Sequence, residues 1–274
     1  MTDVVQITKG DAPLLVSIPH TGTEIPPEIE AELVSSWLAR KDTDWWIDRL
    51  YTFAAEFGAT IVRATHSRTV IDVNRDPSGA SLYPGQATTG LCPTETFDGE
   101  PLYDPGRTPD RFEIDRRLQL YFQPYHTALT SEIARLKQKH PRVVLYDCHS
   151  TRSVIPRLFE GELPHMNIGT NSGASCDSDL ALMVQTVCEA SRFSWTSNDR
   201  FKGGWITREQ GRPALGIHAI QMELACRSYL AEPIPFVDEK NWPPGYEETR
   251  ANEMQATQRS IFEACLSFSR MPAR

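Results

Sequence analysis

Much of the machinery that would announce a function is missing from this 274-residue sequence. The six cysteines, Cys92, Cys148, Cys176, Cys188, Cys226 and Cys265, are scattered and form no CxxC pair, which excludes a zinc ribbon or a dithiol redox motif. Free thiols in a reducing compartment fit that pattern. No segment approaches the ~18 uninterrupted apolar residues of a membrane helix, and the opening MTDVVQITKGD lacks the apolar stretch of a secretory signal. The cytoplasm is the expected location. Positive charge is also in deficit: 28 Lys and Arg stand against 36 Asp and Glu, a formal net charge of -8. That balance repels nucleic acid and anionic membranes, so neither is expected as a partner. The GxSxG elbow, the GxxxxGK[ST] loop, the GxGxxG fingerprint and the HExxH helix are all absent, which counts against the enzyme classes they mark.

What is present is an ordinary folding composition, 40% apolar and 23% charged, in a length that suits one α/β domain over residues 1–274. Leu14–Ile18, Thr60–Ala64, Arg68–Val73, Val143–Tyr146 and His218–Ala225 are apolar or β-branched runs that predict strands. Helical spacing predicts helices over Asp42–Gly58, Arg111–Lys139 with a break near Pro124, Asp179–Ala190 and Glu247–Phe268. The aromatic residues Trp45, Trp46, Tyr51 and Phe53 read as core. Strands alternating with helices predict an α/β fold with a mixed, largely parallel sheet.

In such sheets ligands bind beyond the carboxyl ends of strands. Four polar positions follow apolar runs or lie on their ends: His20, Asn74 with Arg75, His149, and Glu223. Two histidines and a carboxylate form a common zinc set that leaves a fourth position open, and a further carboxylate nearby suits a general base. Cys148 adjoins His149, but neighbouring strand residues point to opposite faces, so Cys148 reads as a buried small residue and not as a nucleophile.

The blocks SIPHTGTEIP, DTDWWIDRLY, SRTVIDVNR, ATTGLCP, LYDCHSTRS, NIGTNSGASCD, RFKGGWITR and HAIQMELA, spread over about residues 12–230, together resemble the N-formylglutamate amidohydrolase family of bacterial histidine breakdown. The resemblance implies a single-domain phosphorylase/hydrolase-like fold, similar to that of zinc carboxypeptidases and aspartoacylase. It also implies metal-dependent hydrolysis of N-formyl-L-glutamate to formate and L-glutamate, with Zn2+ or another divalent transition metal as cofactor. An amidohydrolase for another N-acyl amino acid and a non-catalytic carboxylate-binding relative are the alternatives.

Matched residue by residue, the resemblance implies His20 and His149 as metal ligands, Glu223 as the base that activates water, and Asn74-Arg75 as a grip on a substrate carboxylate. The acidic ligand departs from the carboxypeptidase pattern, because Thr23 stands where that group has its carboxylate. Asp44 in the DTDW block is the preferred third ligand and Glu24 the alternative; a helix cap is the competing role for Asp44. Asp147 is expected to orient His149 or a neighbouring arginine, with a plain sheet-end role as the alternative. An anionic small-molecule substrate in an acidic protein requires a local cationic pocket. Arg75 is the first choice for it, and Arg68, Arg152, Lys202 and Arg208 are the further ones, each lying in a family-like block. His126, inside a helix, and His218, at the start of a strand, stay out of the ligand set. The oligomeric state is left open.

Overall fold

In the computed structural model, which describes residues 3–233 and 236–272, seven strands form one mixed sheet in the order β1-β3-β2-β4-β7-β5-β6. Residues 1–2, 234–235 and 273–274 also fall in the expected single domain and lie outside the described residues. The strands are β1 (Val5–Thr8), β2 (Leu14–Ile18), β3 (Thr60–Ala64), β4 (Val143–Thr151), β5 (Met166–Gly169), β6 (Trp195–Ser197) and β7 (Ile217–Ala225). Pairing is parallel through β3-β2-β4-β7 and between β5 and β6, and antiparallel where β1 meets β3 and β5 meets β7. Helices flank both faces, as the α/β expectation requires.

Strand alternation divides the core into two layers. Val144, Tyr146, Cys148, Ile220, Met222 and Leu224 face one layer, closed by the helices Ser178–Ala190 and Glu248–Arg270. Val143, Leu145 and Ala219 face the other, closed by the helix Gln123–Lys137 through Leu129, Ile133 and Leu136. Each fully buried Leu, Ile, Val or Met contributes about 1.5–3 kcal/mol relative to exposure, so the two layers supply the driving force of the fold. Cys148 sits in the first layer, where burial pushes its thiol well above the usual range, while Asp147 and His149 belong to the opposite face of the same strand.

The structure corrects four of the predicted elements. β4 does not stop at Tyr146: it pairs with β7 rung by rung from Val143↔Ile217 to Thr151↔Ala225, so Asp147 to Ser150 lie inside a strand. Arg68–Val73 is not a strand. Its apolar members Val70, Ile71 and Val73 are spent on core packing, while a turn ties Val70 N to Ser67 O (2.9 Å) and Asp72 N donates to the distant Leu91 O (2.7 Å). Asp42–Gly58 is not one helix. Asp44 N donates to His20 O (3.0 Å), which holds the chain in a turn, and Trp46 takes a left-handed backbone conformation (φ 63°). A short helix Ile47–Leu50 and a 3-10 turn Thr52–Phe57 follow, ended by Gly58 at φ 66°. The expected break near Pro124 is a π-helical turn, Leu118–Phe122, between the helices Arg111–Arg117 and Gln123–Lys137. Proline falls at the start of the second helix, where a missing N–H costs least.

Candidate functional site

Three elements converge at the carboxyl side of the central strands. β2 delivers His20 two residues past Ile18, β4 carries His149, and the turn after Asp42 swings Asp44 between the two rings. His149 Nδ1 lies 3.2 Å and His20 Nδ1 3.8 Å from Asp44 Oδ2, and the ring centroids are 4.8 Å apart. One ligand atom from each of the three residues lies within 4.8 Å of the others, and all three side chains are buried. Asp44 is no helix cap: its Oδ2 accepts from Ser150 N at 3.0 Å. Glu24 is exposed, its backbone paired with Thr65 and Ser67.

Both imidazoles are held from behind. His20 Nε2 lies 2.8 Å from Asp72 Oδ1, and His149 Nε2 lies 3.0 Å from Asp147 Oδ2. Each ring is thus clamped through Nε2 and presents Nδ1 towards Asp44, the arrangement in which a carboxylate orients a ligating histidine. Asp147 is itself fixed by Ser17 Oγ, which donates to its Oδ1 at 2.7 Å. Asp72 also accepts from Arg68 Nη2 at 2.5 Å. Burial would raise the Asp72 carboxyl, but the charges of Arg68, His20 and Arg75 hold it well below the usual carboxylate range.

The residues present fit a divalent cation. His20 Nδ1 and Asp44 Oδ1 are both buried and lack a hydrogen-bond partner, although a buried polar atom of this kind normally has one. Two imidazole nitrogens and a carboxylate oxygen form a borderline donor set of the kind transition metals accept.

Glu223 stands beside His149 on the neighbouring strand, in register with it. Its Oε2 accepts from Gln221 Nε2 at 3.2 Å, and Gln221 Oε1 accepts from Gly204 N at 2.8 Å. Burial pushes the Glu223 carboxyl up to about 7, against the lowering effect of His149. Asn74 bridges the centre to the first turn of the helix Trp205–Gln210: its Oδ1 accepts from Ile206 N at 2.8 Å and its Nδ2 lies 2.9 Å from His149 Nε2.

A cleft opens over these groups, lined by His20, His149, Glu223, Asn74, Arg68 and Arg75 among others. The remaining predicted cations are elsewhere. Arg152 pairs with Asp98 (2.7 Å) and Asp42 (3.3 Å) and lines a separate cavity with Lys41 and Glu232. Lys202 and Arg208 do not line the cleft; Arg208 Nε donates to Gly203 O at 2.9 Å and its guanidinium lies over the Tyr83 ring. The physical reason is local. Gly203 (φ 107°) turns the chain so that Gly204, not its charged neighbours, meets Asn74.

Sequence reasoning missed Asp72, Tyr83, Arg200 and Gln221. Asp72 and Arg200 stand in the same family-like blocks as Asn74 and Lys202, and the -2 spacing of Asp147 from His149 recurs at Gln221 and Glu223, where alternate strand residues share a face. His126 and His218 lie outside the site: His126 Nε2 is 2.8 Å from Val73 O, and His218 Nδ1 accepts from Asp177 N at 3.1 Å.

Comparison with known proteins bears on the family and the fold. Residues 12–230 match the family described as N-formylglutamate amidohydrolase. The chain is 44% identical over 271 residues to the N-formylglutamate deformylase of Pseudomonas aeruginosa, covering 98% of each sequence. It is 43% identical over 269 residues to the N-formylglutamate deformylase of Pseudomonas putida, covering 98% of this chain and 97% of that protein. Among solved structures, the N-formylglutamate amidohydrolase of Ralstonia eutropha JMP134 shares the fold with a TM-score of 0.75 and 24% identity, over 97% of this chain and 96% of that one.

Proposed function

This chain belongs to the N-formylglutamate amidohydrolase family, and from that premise we propose that it hydrolyses N-formyl-L-glutamate to formate and L-glutamate, with His20, Asp44 and His149 holding one zinc or other divalent ion. The observation that carries the reading is the pair of unpartnered buried donor atoms, His20 Nδ1 and Asp44 Oδ1, beside a buried glutamate in an arginine-lined cleft. An amide resists water at neutral pH, and a bound zinc ion supplies the remedy by polarising the formyl oxygen and lowering the pKa of water.

The protein's own groups supply the rest. Glu223 takes a proton from the attacking water as the new C–O bond forms, and passes it to the glutamate nitrogen as the C–N bond breaks. A carboxyl near 7 suits both halves of that task, because it accepts and releases a proton with little bias at neutral pH. Asp72 and Asp147 hold the imidazoles through Nε2, which turns both Nδ1 atoms towards Asp44, where they would hold the metal together with its carboxylate. Arg75, whose Nε donates to Thr89 O at 3.0 Å and lies 3.8 Å from Asp72, borders the centre and meets the α-carboxylate next to the scissile amide. Asn74 steadies His149 and the first turn of the helix Trp205–Gln210.

The test is a comparison of kcat/KM for N-formyl-, N-acetyl- and N-succinyl-L-glutamate. A preference for the formyl compound of about 10-fold or more is expected, since the pocket need only reject extra carbon. Equal or higher values for the larger acyl groups would refute the substrate assignment.

A further inference from the structure

Three arginines line the cleft, and they are not equivalent. Arg68 is spent on the centre, 2.5 Å from Asp72 and 3.6 Å from Asp44. Arg75 leans on the same Asp72. Arg200 has no carboxylate within 4.0 Å among the described residues. Its side chain is fixed by neutral acceptors instead: Nε donates to Leu158 O at 2.7 Å, Nη2 to Ala87 O at 2.9 Å, and Nη1 to Gln86 Oε1 at 3.1 Å. The guanidinium also lies 5.2 Å from the Phe201 ring centroid and 5.7 Å from that of Tyr83. A guanidinium has five N–H donors. Three are used here, which leaves one N–H on each terminal nitrogen for a further acceptor.

We propose that Arg200 is the residue that reads the side-chain carboxylate of the substrate, and so selects an acidic over a neutral N-formyl amino acid. The α-carboxylate is adjacent to the scissile amide and must stay near the metal ligands, where Arg75 stands. The distal carboxylate lies three carbons out, and Arg200 lines the same cleft, held by Leu158 and the loop at residues 83–87, with no hydrogen bond or ion pair to the proposed metal-binding residues. Its positive charge is partly desolvated and has no carboxylate in ion-pair contact among the described residues: burial lowers its pKa, Tyr83 and Glu223 offset part of that, and Arg75 lowers it further. An incoming carboxylate supplies the missing counter-charge, whereas a carboxamide of the same shape supplies none.

This inference rests on the proposed deformylase activity, and the experiment separates the two. N-formyl-L-glutamate and N-formyl-L-glutamine are compared as substrates of wild type, Arg200→Met and Arg200→Lys, with circular dichroism as the check on folding. Wild type is expected to prefer the glutamate derivative by about 10²- to 10³-fold in kcat/KM. Arg200→Met is expected to lose most of that factor on the glutamate derivative alone, and Arg200→Lys to retain part of it through charge without the planar set of donors. An undiminished preference in Arg200→Met overturns the assignment, as does an equal loss on both substrates, which marks a purely structural role. Should Arg200→Met not fold, an undiminished preference in Arg200→Lys overturns it equally. If wild type hydrolyses neither substrate, the activity proposal fails instead. Calorimetric binding of L-glutamate against L-glutamine to wild type and Arg200→Lys then decides the role of Arg200 independently: a reduced glutamate preference in the variant is expected, and an undiminished one overturns the assignment.

Discussion

Replacing Gly204 with alanine tests the coupling between the loop before Trp205 and the catalytic centre. Gly204 has an ordinary extended backbone (φ -83°), so no conformational penalty attaches to alanine there. The penalty comes from Asn74. An added Cβ would stand 2.4 Å from Asn74 Nδ2 and 2.5 Å from its Cγ and Oδ1. Ordinary contact between such atoms begins near 3.4 Å, so the carboxamide must retreat by about 1 Å. That movement breaks the 2.8 Å bond from Ile206 N and the 2.9 Å contact with His149 Nε2. A buried amide N–H left without a partner costs about 1–3 kcal/mol, and overpacking adds a similar amount. Gly204→Ala is therefore expected to lose about 2–4 kcal/mol of stability by denaturant titration. A displacement of that size beside a metal-binding histidine should also lower kcat/KM by about 10- to 10²-fold. The decisive control is the double-mutant cycle with Asn74→Ala. With the carboxamide removed the Cβ has room, so Gly204→Ala should cost less than about 0.5 kcal/mol in that background. Full activity in the single variant, or the same stability cost in both backgrounds, would refute the reasoning.

Other consequences are equally open to measurement. Glu223→Gln should reduce kcat by about 10²- to 10⁴-fold while leaving bound metal and the thermal midpoint unchanged; a normal rate would remove Glu223 from the mechanism. Elemental analysis should find one divalent ion per chain in wild type and almost none after dialysis of Asp44→Asn, whose amide oxygen can still accept from Ser150 N. Full activity in strong chelator would contradict a metal role. His218, packed on Phe268, is pushed down to about 4 by burial, helped by the charge of Arg142. A histidine with a depressed folded-state pKa stabilises the fold above its unfolded value of ~6.5 and loses that contribution as pH falls towards 4, because only the unfolded chain takes up the proton. Stability should drop by on the order of 2–3 kcal/mol across that window. His218→Asn, which keeps an acceptor for Asp177 N, should flatten the drop, as read from denaturant midpoints at several pH values.

The regular parts of the fold were legible because their signals are local. Leu14–Ile18 and Thr60–Ala64 are uninterrupted buried or half-buried runs, and Leu180, Val184 and Cys188 repeat at helical spacing behind an Asp177 cap. The irregular stretches were not. Nothing local in Asp42–Gly58 or Arg68–Val73 reveals that Asp44 N is claimed by His20 O, or that Arg68 and Asp72 are wanted at the centre, and long-range partners overrode propensity in both. His20, Asp44, His149 and Glu223 could be nominated from motif resemblance and strand ends. The choice among cations could not, because a basic residue in a shared block carries no sign of direction. Gly203 turns Lys202 and Arg208 aside, and Arg200, two places before Lys202, lines the cleft.

The nine-rung ladder between β4 and β7 places the His149↔Glu223 pair at its seventh rung, with Ser150↔Leu224 and Thr151↔Ala225 beyond it. The spacing between a metal-binding residue and the proposed base is therefore set by main-chain pairing, which side-chain replacement nearby leaves intact. Part of the cleft wall comes from elsewhere in the chain, the loop that brings Tyr83, Thr88 and Thr89 to the cleft and carries no rung of the sheet. Variation confined to that loop therefore reshapes one wall of the cleft while the ladder keeps the separation of His149 and Glu223 constant.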